Sequence, residues 1–164
     1  MKKTAIYLVL FLSFTGCSIF KNESSLKINV EELGYGIGET KSVSIKTMDN
    51  SPTGTHRLSK GFTITQKTDT IPGEIGKQFG VVYIMHATIY KDILVEQVWT
   101  FPAPMVDDNG KEFKELRYQI LKSTNEETYS TYFLEKEYEV IKGEWIYQMF
   151  YDDQKIFERK FYIE

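Results

Sequence analysis

The sequence predicts an all-β fold, a sandwich of eight or nine short antiparallel strands. Three features of the chain lead to it. Apolar and polar residues alternate over most of its length, turn-forming residues interrupt the alternation at short intervals, and no long stretch carries the 3.6-residue period of an amphipathic helix. Short, regularly spaced strands without intervening helices favour a sandwich over a barrel or an α/β architecture.

The chain opens with Lys2 and Lys3, a positive segment, and continues into an apolar run over residues 5–14. That is the layout of an export signal, and at about half the ~20 residues of a membrane span it is too short to be an anchor. The run ends in Leu12-Ser13-Phe14-Thr15-Gly16-Cys17, which resembles a bacterial lipobox, with Phe14 standing where leucine is usual. Residues 1–16 are therefore expected to be a lipoprotein signal peptide. Cys17 is expected to carry the lipid, residues 17–25 to form a short tether, polar over Lys21-Asn22-Glu23-Ser24-Ser25, and residues 26–164 to form a single domain. Acyl chains contribute about 0.8 kcal/mol per buried CH₂, so two or three of them hold a protein on a membrane. Ser18, where an aspartate would signal retention, implies by analogy an outer-membrane address with the domain in the periplasm.

Cys17 is the only cysteine, so the domain has no disulfide framework, thiolate metal site or catalytic cysteine available to it. The chain's net charge of −3 becomes −5 once Lys2 and Lys3 are removed, and nucleic acid is not an expected partner. The length remaining can bury about two-thirds of its unfolded surface, enough for a core without staples.

Leu26, Ile28 and Val30 alternate with polar residues. Leu33, Tyr35 and Ile37 then resume in the opposite parity after Glu31-Glu32, a slip that predicts a β-bulge. Val43 and Ile45, then Phe62 and Ile64, mark half-buried strands. Residues 79–86 are apolar in both parities, as expected of a central strand. The strand over residues 94–101 should stop or lie at an edge at Pro102-Ala103-Pro104, because proline donates no ladder hydrogen bond. Asp107-Asp108-Asn109-Gly110 is turn chemistry. Residues 110–123 fit a strand, although Phe113, Leu116, Ile120 and Leu121 also fit a helical period. Beyond Tyr129, breaks fall at residues 135–137, at Lys142-Gly143 and at Asp152-Asp153, the last a tight hairpin. Trp145, Tyr147, Met149 and Tyr151 share one face, opposed by Phe157, Phe161 and Ile163, a set read mostly as core.

The run from Tyr138 through Gly143-Glu144-Trp145-Ile146-Tyr147-Gln148, with the closing Glu158-Arg159-Lys160-Phe161-Tyr162-Ile163, resembles the bacterial domain-of-unknown-function family 3859. Tyr35-Gly36, Thr70-Ile71-Pro72, Phe79-Gly80 and Trp99-Thr100-Phe101-Pro102 match that family's earlier landmarks in the same order. Tyr138 stands where the family has tryptophan, and residues 87–92 lack its glycines. The resemblance implies an exported immunoglobulin-like β-domain and brings no activity or catalytic residues with it.

The remaining motifs argue against catalysis. His56 and His86 lie on different elements, with no cysteine to complete a mixed metal site. The pairs Asp107-Asp108, Glu126-Glu127 and Asp152-Asp153 fall in turns, and neighbours on a strand face opposite ways. Asp107-Asp108-Asn109-Gly110 lacks the spacing of a calcium loop. Gly34-Tyr35-Gly36-Ile37-Gly38 lacks the spacing and the strand-to-helix context of a phosphate loop. No cofactor, metal or catalytic residue is implied. The aromatic content is 15%, with eleven tyrosines, and Tyr129, Tyr132 and Tyr162 are the candidates to stand on the solvent side and contact a partner or ligand. The expected role is a non-catalytic envelope lipoprotein that engages another envelope protein, with glycan or small-ligand binding by exposed aromatics as the alternative.

Overall fold

The computed structural model describes residues 26–164, so Cys17, the signal segment and the tether lie outside it. Eleven strands are present: β1 (Asn29–Glu39), β2 (Ser42–Thr47), β3 (Thr55–Lys60), β4 (Thr63–Gln66), β5 (Thr70–Ile71), β6 (Gln78–His86), β7 (Asp92–Val106), β8 (Glu112–Ser123), β9 (Glu127–Phe133), β10 (Gly143–Tyr151) and β11 (Gln154–Ile163). One turn of 3-10 helix, Glu137–Glu139, leads into β10, and no α-helix occurs among the described residues. The strands form a four-stranded sheet ordered β4-β1-β6-β9, a five-stranded sheet ordered β5-β11-β10-β7-β8, and a separate two-stranded arm, β2-β3. Every pairing is antiparallel except β11 with β5.

The core lies between the two large sheets and is made by period two. Phe79, Val81, Tyr83 and Met85 of β6 are fully buried, as are Trp99 of β7, Trp145, Tyr147 and Met149 of β10, and Phe161 of β11. Phe79 sits at the centre of an aromatic cluster, edge-on to Trp99 at 5.7 Å and to Trp145 at 6.1 Å, with Phe161 at 5.1 Å. Such pairs contribute roughly 0.5–1.5 kcal/mol beyond the area they bury.

The parity slip at Glu31-Glu32 is a register shift between Glu32 and Gly34 against β6. Residues 112–123 are a strand, paired with β7 over nearly their whole length, so the helical spacing there is not used. The strand does not stop at Pro102-Ala103-Pro104. β7 runs on to Val106, and its pairing with β8 shifts between Thr100 and Met105, so the prolines ride in a bulge where no ladder donor is needed. The eleven strands exceed the eight or nine expected because β5 has two residues and β3 carries almost no apolar alternation.

The two open sides of the sandwich are closed differently. On one side Arg159 of β11 pairs with Glu32 of β1 at 2.9 Å and lies over the Tyr35 ring at 3.3 Å. On the other side the edge strands β8 and β9 are covered by the arm. Tyr129 of β9 donates to the Ser59 carbonyl of β3 at 2.7 Å, Arg57 of β3 stacks on Phe133 of β9 at 4.1 Å, and Asn50 at the arm's turn donates to the Arg117 carbonyl of β8 at 2.8 Å.

Candidate functional site

The described residues enclose a run of hollows where the arm lies against β8 and β9, apart from a hollow of about 380 Å³ at the arm's turn. Three adjoining hollows run along this seam, of about 60, 170 and 330 Å³, and His56 and Tyr118 line all three. The site follows from strand parity. Directly paired residues share a face, so His56 and Lys46 point one way and Arg57 and Ile45 the other. The His56 ring meets Tyr118 of β8 at 4.7 Å.

Below the seam a polar chain enters the core. Tyr118 donates to Gln97 Oε1 at 2.8 Å, and Tyr147 donates to Ser130 Oγ at 2.8 Å. Tyr83 shares a hydrogen bond with Ser130 at 3.0 Å, and Gln97 reaches the Tyr83 phenol at 3.4 Å. Gln97 and Ser130 are buried, and burial raises the pKa of Tyr83 to about 12 and also raises those of Tyr118 and Tyr147. These phenols are neutral donors at physiological pH. The Trp99 indole N–H, buried in the same region and lining the smallest hollow, has no hydrogen-bond partner.

Lys122 of β8 is half-buried at the seam. Its ammonium donates to Thr128 Oγ1 at 3.1 Å and to the Tyr129 carbonyl at 2.8 Å, the latter a backbone acceptor on the edge of the four-stranded sheet. Burial lowers its pKa to about 8. Burial also lowers the pKa of His56, as do the positive charges of Lys122 and Lys46, so this imidazole is neutral at pH 7.

At the far end of the seam Glu139 is buried and accepts three hydrogen bonds: from Tyr132 at 2.7 Å, from the Glu135 N–H at 2.7 Å and from the Lys136 N–H at 2.8 Å. Burial raises its pKa, and these bonds act in the opposite direction. The arrangement fixes the turn before β10.

The three tyrosines singled out from the sequence are not brought together. Tyr162 stands on the outer face of the five-stranded sheet, 44% exposed, where it donates to Glu144 Oε2 at 2.7 Å in a ladder with Lys160. Tyr129 is half-buried under the arm, with Phe62 at 5.8 Å. Tyr132 corrects the expectation of a solvent-facing ring. It is 6% exposed, opposite Phe79 in the ladder and packed against Trp145 at 4.9 Å. Tyr132 lies three positions after Tyr129, so a period of two sends them to opposite faces, a signal the sequence contained.

The histidines stay apart. His86, half-exposed on the outer face of the four-stranded sheet, is 2.6 Å from Glu31. No group of three or more His, Cys, Asp or Glu side chains among the described residues could hold a metal ion. The Gly34–Gly38 run serves a close approach. Gly36 has φ +139°, and a Cβ there would lie 2.1 Å from the Gln66 carbonyl oxygen.

With two facing sheets, this strand order and this core in place, comparison with known proteins bears on the fold. The Domain of unknown function (DUF3859) profile matches residues 26–163. This chain belongs to that family. A crystal structure of an immunoglobulin-like protein from Pseudomonas aeruginosa is similar to it with a TM-score of 0.60 and 19% identity, covering 86% of this chain and 99% of the other. The domain is thus an immunoglobulin-like β-sandwich. An alkylpurine DNA glycosylase from Pseudomonas fluorescens matches over 58% of this chain and 27% of its own, at 8% identity and a TM-score of 0.38, which carries no argument. No curated protein matches the sequence. The DUF3859 family brings the fold and no activity, so the seam and the arm have to be read on their own chemistry.

Proposed function

We propose that this DUF3859 protein is a non-catalytic lipoprotein of the bacterial envelope, anchored through Cys17, whose arm accepts an extended segment of another envelope protein. The observation that carries this reading is the outer strand of the arm. Among the described residues β2 pairs with β3 on one side and with no strand on the other, and it presents Val43 and Ile45 to solvent, Ile45 at 63% exposure. Natural sheets protect such edges with charge, proline or a covering element. Within β2 only Lys46 does so. An unpaired edge with apolar residues at alternate positions is the surface that strand addition uses, main-chain hydrogen bonds supplying affinity and side-chain alternation supplying specificity.

The test is photo-crosslinking in cells from a crosslinking amino acid placed at Ile45, in the full-length tagged protein. Cys17→Ala serves as the mislocalised control and a crosslinker at Gln148, on the outer face of the five-stranded sheet, as the surface control. A discrete envelope-protein adduct from position 45, absent from position 148 and lost with Cys17→Ala, is the expected result. If position 45 yields no adduct while the protein is abundant and membrane-bound, the arm is not an interaction edge. An adduct that survives Cys17→Ala removes the anchoring part of the proposal.

A further inference from the structure

The two larger hollows of the seam differ in charge from the rest of the molecule. The chain carries a net −3, yet Lys46, Arg57, Lys122 and His56 line these hollows and no aspartate or glutamate does. Neither Lys46 nor Lys122 has an ion-pair partner among the described residues, and the one ion pair of Arg57 there is a long 3.9 Å contact to Glu135. A lysine ammonium has three donors, and Lys122 uses two of them on neutral oxygens, leaving one. Proteins rarely hold a half-buried cation without a counter-charge. The remaining walls combine apolar and aromatic side chains, Leu58, Ile120, Tyr118 and Met48, with neutral polar ones such as Gln97, Thr128 and Gln119. A cation beside apolar and aromatic walls in one hollow suits a small molecule that has both a charged and an apolar part.

We infer that the seam between the arm and β8 binds a small amphipathic anion, its carboxylate held by the free donor of Lys122 and its apolar part packed between Leu58, Tyr118 and Ile120. The carboxylate supplies the missing counter-charge, and the neutral phenol of Tyr118 packs against the apolar part without repelling it. Neutral His56 is a further hydrogen-bonding group at the junction of the two hollows. β2 contributes Lys46 and Thr47 to the outer hollow, but the proposed ligand contacts lie on β3 and β8, so the site is tested independently of the proposed partner protein.

The test uses the full-length protein, with benzoate as the amphipathic anion, acetate as the bare carboxylate and benzylamine as the cation of similar shape, all at constant ionic strength. The readouts are the His56 imidazole NMR signals and the thermal midpoint. Benzoate is expected to shift the His56 signals saturably and raise the midpoint, acetate to bind about tenfold or more weakly, and benzylamine to do neither. Lys122→Met should weaken benzoate about tenfold or more, as expected for loss of a charged hydrogen bond, while Lys122→Arg retains it. Far-UV circular dichroism confirms that each variant is folded. An equal response to benzoate and benzylamine, no saturable response to benzoate, or unchanged benzoate affinity in a folded Lys122→Met variant would each overturn the assignment. If acetate binds as tightly as benzoate, the apolar half of the site is refuted.

Discussion

Replacing Lys122 by methionine should change how the stability of this protein depends on pH more than it changes stability at any single pH. Burial lowers the folded-state pKa of Lys122 to about 8, against about 10.4 for a lysine in an unfolded chain. Below pH 8 the group is charged in both states, and the folded protein bears the full cost of the buried ammonium, at most about 3 kcal/mol at 1.36 kcal/mol per pH unit. Between pH 8 and 10 the folded state loses its proton first, the unfolded chain binds more protons, and stability rises with pH. Integrated from pH 7 to 9.5, the gain is about 2 kcal/mol. Above pH 10 the buried phenols reverse the trend. Tyr83, Tyr118, Tyr132 and Tyr147 have folded-state pKa values raised above the ordinary 10, so the unfolded chain ionises first and stability falls. Methionine keeps the apolar stem but leaves the Tyr129 carbonyl without its donor, at a cost of about 1–2 kcal/mol that opposes the relief of the buried charge near neutrality. The assay is urea unfolding of both proteins from pH 7 to 9.5, followed by the fluorescence of Trp99 and Trp145, both fully buried in the core. The wild type should gain about 2 kcal/mol relative to the variant over this range. Parallel curves would show that Lys122 is not desolvated, and the counter-charge argument for the seam would lose its premise.

Other substitutions test the fold that positions the seam. Ser130→Ala removes the acceptor of Tyr147 and the partner of Tyr83, and should cost about 2–3 kcal/mol in urea unfolding; a loss under 0.5 kcal/mol would mean that water replaces the hydroxyl. Phe79→Ala opens the centre of the aromatic cluster and should cost about 3–5 kcal/mol by the same assay. Gly36→Ala places a methyl against the Gln66 carbonyl at an unfavourable φ, and should lower stability by about 2 kcal/mol or more, with loss of amide protection along β4 in hydrogen exchange. Asp153→Gly should do the reverse: Asp152 and Asp153 occupy the β10-β11 turn at φ +50° and +59°, where glycine is favoured at the second position, and a gain of about 0.5–1 kcal/mol is expected as a raised urea midpoint.

Residue order alone specified the all-β class, the bulge in β1, the central place of β6 and the β10-β11 hairpin. Each of these is a local matter, a parity, a slip in parity or a turn dipeptide. Val43 and Ile45 show where that logic ends. Their alternation predicts a half-buried strand, yet both are exposed, because β2 joined β3 in a separate arm and not a face of the main sheets. β3 itself, Thr55–Lys60, carries almost no hydrophobic period, and it is a strand because β2 pairs with it and β9 and β8 lie beneath it. Gln97, Ser130 and Glu139 read as surface residues in sequence. They are buried because tyrosine hydroxyls 7 to 47 residues away converge on them. The cationic seam arises in the same way, from Lys46, Arg57 and Lys122 on three different strands. Period and turn chemistry act between neighbours in the chain and can be read from residue order. Charge complementarity and polar burial depend on distance in space, and only the packing of the arm against the sandwich decided those.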